Sequence, residues 1–329
     1  MKESIDSKIL YIDSNDRDIT KWPNSSEFEI TCPQVYNNVQ SLNLLNIVLP
    51  NTIYNISNYL QNNKLVITIS GLEERIITLE DGYYDVETLR SSLQNKINSK
   101  CELTGNMVMV IEYNKVSQKF YFGRKNNAIT NGGSFQLNFD KQLDYSSSCV
   151  TNINVFSQHS NWGLGYILGF DKKTHTSRSI DGSNNLTFDY TSSLWINTSS
   201  ASVISSDYPH TLDANENIYI EFEKYNKSDS LKPYLSYNYN NSNCGIVNSA
   251  FAKIPIHANS GTNTGINTAL LDHEISSTIS HFKPPIEKVA KLKIKIRYHN
   301  NMLVNLQNAN ISLSLCINQL NKDFDHLLR

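Results

Sequence analysis

The 329-residue chain offers little that would select a chemistry. Its five cysteines, Cys32, Cys101, Cys149, Cys244 and Cys316, are odd in number, far apart and free of any C-x-x-C pair. That spacing suggests neither a disulfide framework nor a zinc site, and reduced, mostly buried thiols are the expectation. No run approaches the roughly 20 apolar residues of a membrane helix, and Met1-Lys2-Glu3-Ser4-Ile5-Asp6 lacks the apolar stretch of a signal peptide. Synthesis in the cytosol is expected, so Asn-x-Ser/Thr triplets such as Asn185-Leu186-Thr187 and Asn310-Ile311-Ser312 carry no weight as glycosylation acceptors. Charge of one sign is also missing. With 29 basic and 31 acidic side chains the net charge is −2, which gives no nucleic-acid footprint.

Catalytic signatures are equally scarce. G-x-S-x-G, HExxH and G-x-x-x-x-G-K-[ST] do not occur. Of the eight histidines, His273 and His281 share a segment with only Glu274 as a further ligand type, and loop or surface histidines are the simpler reading. Gly163-Leu164-Gly165-Tyr166-Ile167-Leu168-Gly169 is one residue too long for G-x-G-x-x-G and lacks the flanking strand and helix. Its glycines suit a sharp turn beside Trp162 and Phe170, which can insert into a core. Asp16 with Asp18, and Asp323 with Asp325, sit in polar sequence where solvation is the default. No catalytic, cofactor-binding or metal-ligating residue is assigned, and an enzyme is the least favoured class.

What the chain does have is Asn, Ser and Thr in place of much of the usual Lys and Glu, and more Tyr (18) than Phe (12). These residues favour turns and pleated surfaces, predicting many strands and long loops. Strands are expected at 8–12, at 27–32 up to Pro33, and at 39–49 up to Pro50. Between 61 and 125 two strands (65–69, 75–79), a helix capped by Asp85 with Val86, Leu89, Leu93 and Ile97 on one face, and two more strands (107–113, 119–122) predict an inserted ββαββ subdomain on its own small sheet. Residues 126–215 read as long loops with short apolar pieces at 135–139, 153–156 and 186–190. Period-two alternation returns at 218–222, 250–256, 291–298 and 311–317, the last two forming a plausible hairpin across Asn300-Asn301. Clean alternation at both ends predicts a mainly β fold: an antiparallel jelly-roll (Greek-key) sandwich from 1–60 and 126–320, with a tail at 321–329. The run Lys288, Lys291, Lys293, Lys295 and Arg297 could face nucleic acid or an anionic membrane surface, but protection of an edge strand is the favoured reading.

Several segments resemble minor capsid and penton-type jelly-roll proteins of nucleocytoplasmic large DNA viruses and virophages. The stretch Tyr11-Ile12-Asp13-Ser14-Asn15-Asp16-Arg17-Asp18, followed by Trp22-Pro23-Asn24-Ser25-Ser26-Glu27-Phe28, is similar to that family's opening strand, Asp-Arg loop and second strand. Val39 to Leu49, then Pro50-Asn51-Thr52-Ile53-Tyr54, resembles its next strand and turn. Gly82-Tyr83-Tyr84, Leu164-Gly165 with Leu168-Gly169-Phe170, Ala252-Lys253-Ile254-Pro255, and Pro285-Ile286 leading to Leu292-Lys293-Ile294 continue the series in order.

The resemblance implies a jelly roll in the virion capsid, made in the host cytoplasm, that binds the major capsid protein and other minor capsid proteins, with no catalytic residues. A five-fold vertex (penton) ring and a cementing position between capsomers are both open, so a homo-oligomer is possible. Contact with an inner membrane surface is compatible, without a transmembrane segment. Tyr237, Tyr239, Trp162 and Trp195 are the candidate interface anchors. The rival from another class is a carbohydrate- or receptor-binding β-sandwich using exposed Trp or Tyr as stacking platforms.

Overall fold

The computed structural model describes residues 3–50, 52–70, 72–103, 108–124, 134–145, 154–180, 201–212, 217–226, 228–229, 249–255, 268–269 and 279–322. In chain order the elements are β1 (Glu3–Asp13), β2 (Glu27–Leu49), β3 (Lys64–Ile69), β4 (Arg75–Thr78), α1 (Val86–Lys100), β5 (Met109–Asn114), β6 (Lys119–Arg124) and β7 (Phe135–Asn138). They continue with α2 (Leu164–Ile167), β8 (Thr174–Thr176), β9 (Arg178–Ile180), β10 (Ala201–Ser205), β11 (Asn217–Phe222), β12 (Ser228–Asp229) and β13 (Ser249–Ala250). The last are β14 (Ala252–Pro255), β15 (Thr268–Ala269), β16 (Ile279–Tyr298) and β17 (Ser312–Lys322). The protein is mainly β and its strand pairs are antiparallel. Two compact units are present: Met1–Ile53 with Asn215–Arg329, and Tyr54–Ala214. No helix among the described residues is long and apolar enough to cross a membrane.

In the first unit the sheet order is β1-β17-β2-β16-β11-β14, with β15 also paired to β2. No two neighbours are consecutive strands, so strands from both ends of the chain interleave, as the Greek-key expectation requires. The alternation along each strand fixes which face is buried. Phe28, Val39, Leu42 and Ile47 of β2, Ile218, Ile220 and Phe222 of β11, Leu292, Ile294 and Ile296 of β16, and Leu313, Leu315 and Ile317 of β17 are all buried. Each such side chain contributes about 1.5–3 kcal/mol on leaving water.

Strand β2 holds the unit together and bends to do so. A straight strand of its 23 residues would reach about 75 Å at roughly 3.3 Å per residue. Instead, both of its ends meet one short segment. Ser26 Oγ donates to the Val304 carbonyl, and Thr52 Oγ1 to the Leu306 carbonyl at 2.8 Å. The sheet therefore curls over along the length of β2. The bend has local causes. Asn38 takes a left-handed backbone (φ 51°), which Asn tolerates better than most residues. Around Pro33 the register with β16 slips between Tyr36↔Val289 and Thr31↔Lys291, so the missing proline N–H costs no ladder bond.

Several expectations for this unit need correction. Pro33 does not end a strand; it lies inside β2 at a register slip. β16 and β17 are not a hairpin, because β2 is hydrogen-bonded between them. β2 and β11 flank β16 on both sides over residues 294–298, so Lys295 and Arg297 do not guard an edge.

The second unit runs from Tyr54 to Ala214, so it takes in much of the region expected as loops on the sandwich. It has two four-stranded sheets, β4-β3-β7-β8 and β5-β6-β10-β9. The two hairpins of the expected ββαββ motif thus enter different sheets, each completed by strands from 135–205. One core joins them: Leu65 and Ile67 of β3, Leu89, Leu93 and Ile97 of α1, Phe120 and Phe122 of β6, Leu137 of β7 and Ile204 of β10. The helix begins where the pattern expected it. The Asp85 carboxylate accepts from the Thr88 N–H at 2.7 Å, and Thr88 Oγ1 accepts from the Asp85 N–H at 2.9 Å, a reciprocal capping box.

The Thr88 backbone and hydroxyl donors hold the Asp85 carboxyl below its ordinary range. The cap's contribution is therefore complete above the unfolded value near 3.8 and is lost as pH falls through the lower folded value. Thermal melts across the acid range should show wild type losing stability more steeply than Asp85→Asn, with equal slopes as the contrary result.

Candidate interaction surfaces

The motif Asp13-Ser14-Asn15-Asp16-Arg17-Asp18 builds a loop rather than a reaction centre. Asp13 accepts from the Asn15 N–H at 2.8 Å. Asp18 accepts from the Thr20 hydroxyl (2.6 Å), the Thr20 N–H (3.0 Å) and the Lys21 N–H (3.4 Å). These bonds, the Thr20 hydroxyl first, lower the Asp18 pKa. Arg17 spreads its guanidinium over the Ser14 carbonyl (2.6 Å), Asn310 Oδ1 (2.8 Å) and the Trp22 carbonyl (3.1 Å). Its planar fork joins the 14–23 loop to the loop before β17, a task for which lysine's point charge is a poor substitute.

Beside this loop, the basic residues of β16 meet acids on both neighbouring strands. Lys291 pairs with Glu29 (3.2 Å), and Lys293 and Lys295 share Glu27 (3.5 Å each). Lys293 also approaches Glu223 (3.9 Å), and Arg297 pairs with Glu221 (2.8 Å). Lys293 Nζ lies 5.2 Å from the centre of the Trp22 ring, a cation–π contact. Lys288 stands opposite Asn37 instead. Cross-strand pairs of this kind are worth a few tenths of a kcal/mol to about 1 kcal/mol each. Their larger effect is to cancel a cationic stripe that would otherwise attract polyanions.

In the second unit the resemblance residues also build turns. Asn55 closes on Tyr84 through Nδ2 to the Tyr84 carbonyl (2.7 Å) and the Tyr84 N–H to Oδ1 (2.8 Å), while Ile56 and Gly82 form an isolated antiparallel bridge. Tyr54 is half-buried and Tyr83 exposed. A β-carbon at Gly165 would collide with Trp162 and lie 2.6 Å from Phe139 Cδ1. Gly169 has φ +82°, and a β-carbon there would run into the Tyr208 carbonyl and lie 2.8 Å from that of Pro209. Both glycines permit close approach. Phe170 stacks on Phe139 at 4.9 Å between ring centres. In the first unit, Pro50 follows β2 and Pro255 ends β14 opposite Asn217.

The expected anchors fare differently. Trp162 is only 7% exposed, packed edge-on to Phe139 and Phe156 with Lys172 Nζ 5.5 Å from its ring. It is a core residue rather than an exposed anchor, because the Gly163–Gly169 turn folds it inward. Tyr237, Tyr239, Trp195 and Asn51 lie outside the described residues. A cavity of about 420 Å³ opens beside Trp162, lined by Gln158, Tyr166, Phe170, Lys172 and Tyr208 among others. Burial there pushes the Lys172 ammonium pKa down. Among the described residues no cluster of three or more His, Cys, Asp or Glu side chains could hold a metal ion. On β1 apolar side chains occupy both faces, so alternation does not mark its buried side: Leu10 and Ile12 are buried, and Ile5, Ile9 and Tyr11 stand exposed.

A model of a family of unknown function (DUF5901) matches residues 1–120. The chain is similar to the mavirus penton protein at 13% identity and a TM-score of 0.44, covering 96% of this chain and 99% of that one. It is also similar to a chain in the Sputnik virophage structure, at 12% identity and 0.43, covering 96% and 98%. No curated protein matches.

Replacing Arg17 by Lys should lower stability by about 1–3 kcal/mol through lost charge-assisted hydrogen bonds, read from the urea midpoint. Gly169→Ala should cost a similar amount, about 1–3 kcal/mol, from backbone strain and collision. A wild-type midpoint for either variant contradicts its assigned role.

Proposed function

We propose that this chain is a structural minor capsid protein of a large double-stranded DNA virus, which binds neighbouring capsid proteins to cement or complete an icosahedral shell. The observation that carries the reading is where the residues of the family resemblance lie. Asp13, Arg17 and Asp18 lock a loop, Gly82 bridges to Ile56, and Gly165 and Gly169 admit close packing. Such residues build a rigid scaffold, and a scaffold of this kind acts through the surfaces it presents. On the first unit those surfaces include Ile5, Ile9, Tyr11 and Ile19, apolar side chains standing in solvent, the sort of group that interface cores collect. Its partners are the major capsid protein and other minor capsid proteins. No reaction is assigned to it.

A vertex position would place five copies in a closed ring, and a cementing position would seat the chain between capsomers. A glycan-binding role has one observation in its favour, the 420 Å³ cavity with exposed Tyr208 at its lining. The burial of Trp162 counts against it, because a stacking platform must offer a ring face.

The test is light scattering on size-exclusion fractions of the full chain, mixed with the major capsid protein of the same virus. Co-elution with capsomers is expected. Separate elution under assembly conditions, together with quenching of tryptophan emission by glycans, would transfer the assignment to the sugar-binding reading.

A further inference from the structure

β1 is an unusual edge. All eleven of its residues pair with β17, from Glu3↔Lys322 to Asp13↔Ser312, without a register slip, and among the described residues no strand lies on its other side. Edges are ordinarily blunted by proline, bulges, shortness or unopposed charge. β1 has no proline and no bulge, and it is long. Ile5, Ile9 and Tyr11 on its outward face are 60%, 53% and 76% exposed.

Glu3 and Asp13 mark its two ends, and the charges between them are Asp6 and Lys8, half-exposed neighbours 3.6 Å apart, on the face that Leu10 and Ile12 bury further along. Inward charges protect an edge when a second copy would set like against like. Here the sequence Ile5-Asp6-Ser7-Lys8-Ile9 reads as its own complement. In an antiparallel pair of β1 strands with the two-fold axis through Ser7, Asp6 stands opposite Lys8 and Ile5 opposite Ile9, on both sides of the axis. Moving the axis by half a residue sets the charges against serine or isoleucine. Moving it by a whole residue sets Asp6 against Asp6 or Lys8 against Lys8. Ser7 at the centre is small, and its hydroxyl is already committed to Asn318 Oδ1 at 2.7 Å.

We propose that β1 is a self-association edge, pairing antiparallel with β1 of a second copy in the Ser7-centred register so that the sheet of the first unit continues across the dimer. The main-chain ladder holds the copies together. The two Asp6–Lys8 pairs select the register, and the isoleucines of both copies form one apolar patch on the outward face. Two paired strands make a small interface, so the dimer is weak and concentration-dependent. This edge does not depend on the shell reading, because the pairing involves only copies of this chain.

Sedimentation velocity on the full chain over a roughly hundredfold concentration range tests it, since weak interfaces populate only at the upper end. The mass should rise from 37.4 kDa towards twice that value. Asp6→Lys alone and Lys8→Asp alone should each weaken association at least about tenfold, the effect of setting like charges opposite one another. Mixing these two variants should restore it, because each then supplies the charges the other lacks, and the double exchange should restore it as well. Circular dichroism spectra matching wild type show that the variants fold. A wild-type monomer at every concentration overturns the proposal, as does a dimer indifferent to the single exchanges or not rescued by mixing. A monomer that still co-elutes with the major capsid protein would overturn the edge pairing and leave the shell reading intact.

Discussion

The two-sided hydrogen bonding of β2 is the constraint on which the first unit depends. β17 binds one edge of this strand and β16 the other, and both come from the far end of the chain. The unit therefore closes only after the intervening segment, including the whole of the second unit, has been made. Such long-range pairing has a high loop-closure cost and is slow. Once formed, however, it ties both termini of the unit into one sheet. The left-handed Asn38 and the slip around Pro33 let that sheet curl, and the curl brings both ends of β2 to residues 304–306. The Arg17 clamp belongs to the same arrangement, because it fastens the loop before β2 to Asn310.

The second unit solves a different problem. Its strands are short, and neither sheet alone could bury enough surface. A common core with α1 does so, and the turn around Gly163–Gly169 completes it by folding Trp162 and Phe170 inward. Side chains at Gly165 and Gly169 are excluded by close packing and, at Gly169, by backbone angle as well. The motif that looks like a phosphate cradle is thus a packing device.

Strand positions and the one substantial helix were legible because burial follows local periods. Leu89, Leu93 and Ile97 recur at helical spacing, and Ile218, Ile220 and Phe222 alternate. Partner choice was not legible, because period-two alternation says which face is buried and not which strand lies alongside. The hairpin expected between β16 and β17 failed for that reason, and so did the edge role for Lys295 and Arg297. Lys291, Lys293 and Lys295 each have their acid on β2, more than 250 positions away in the chain. The loop-building roles of Asp13 and Asp18 were within reach, since both precede residues whose N–H groups they accept. The Arg17–Asn310 bond was not, because it joins residues 293 positions apart.

The shell role proposed above is tested by a cryo-EM reconstruction of the particles in which this chain is found. Shell density is expected, at the vertices or between capsomers, through which β2 can be traced with β16 and β17 on either side. A shell fully accounted for by other chains would contradict it.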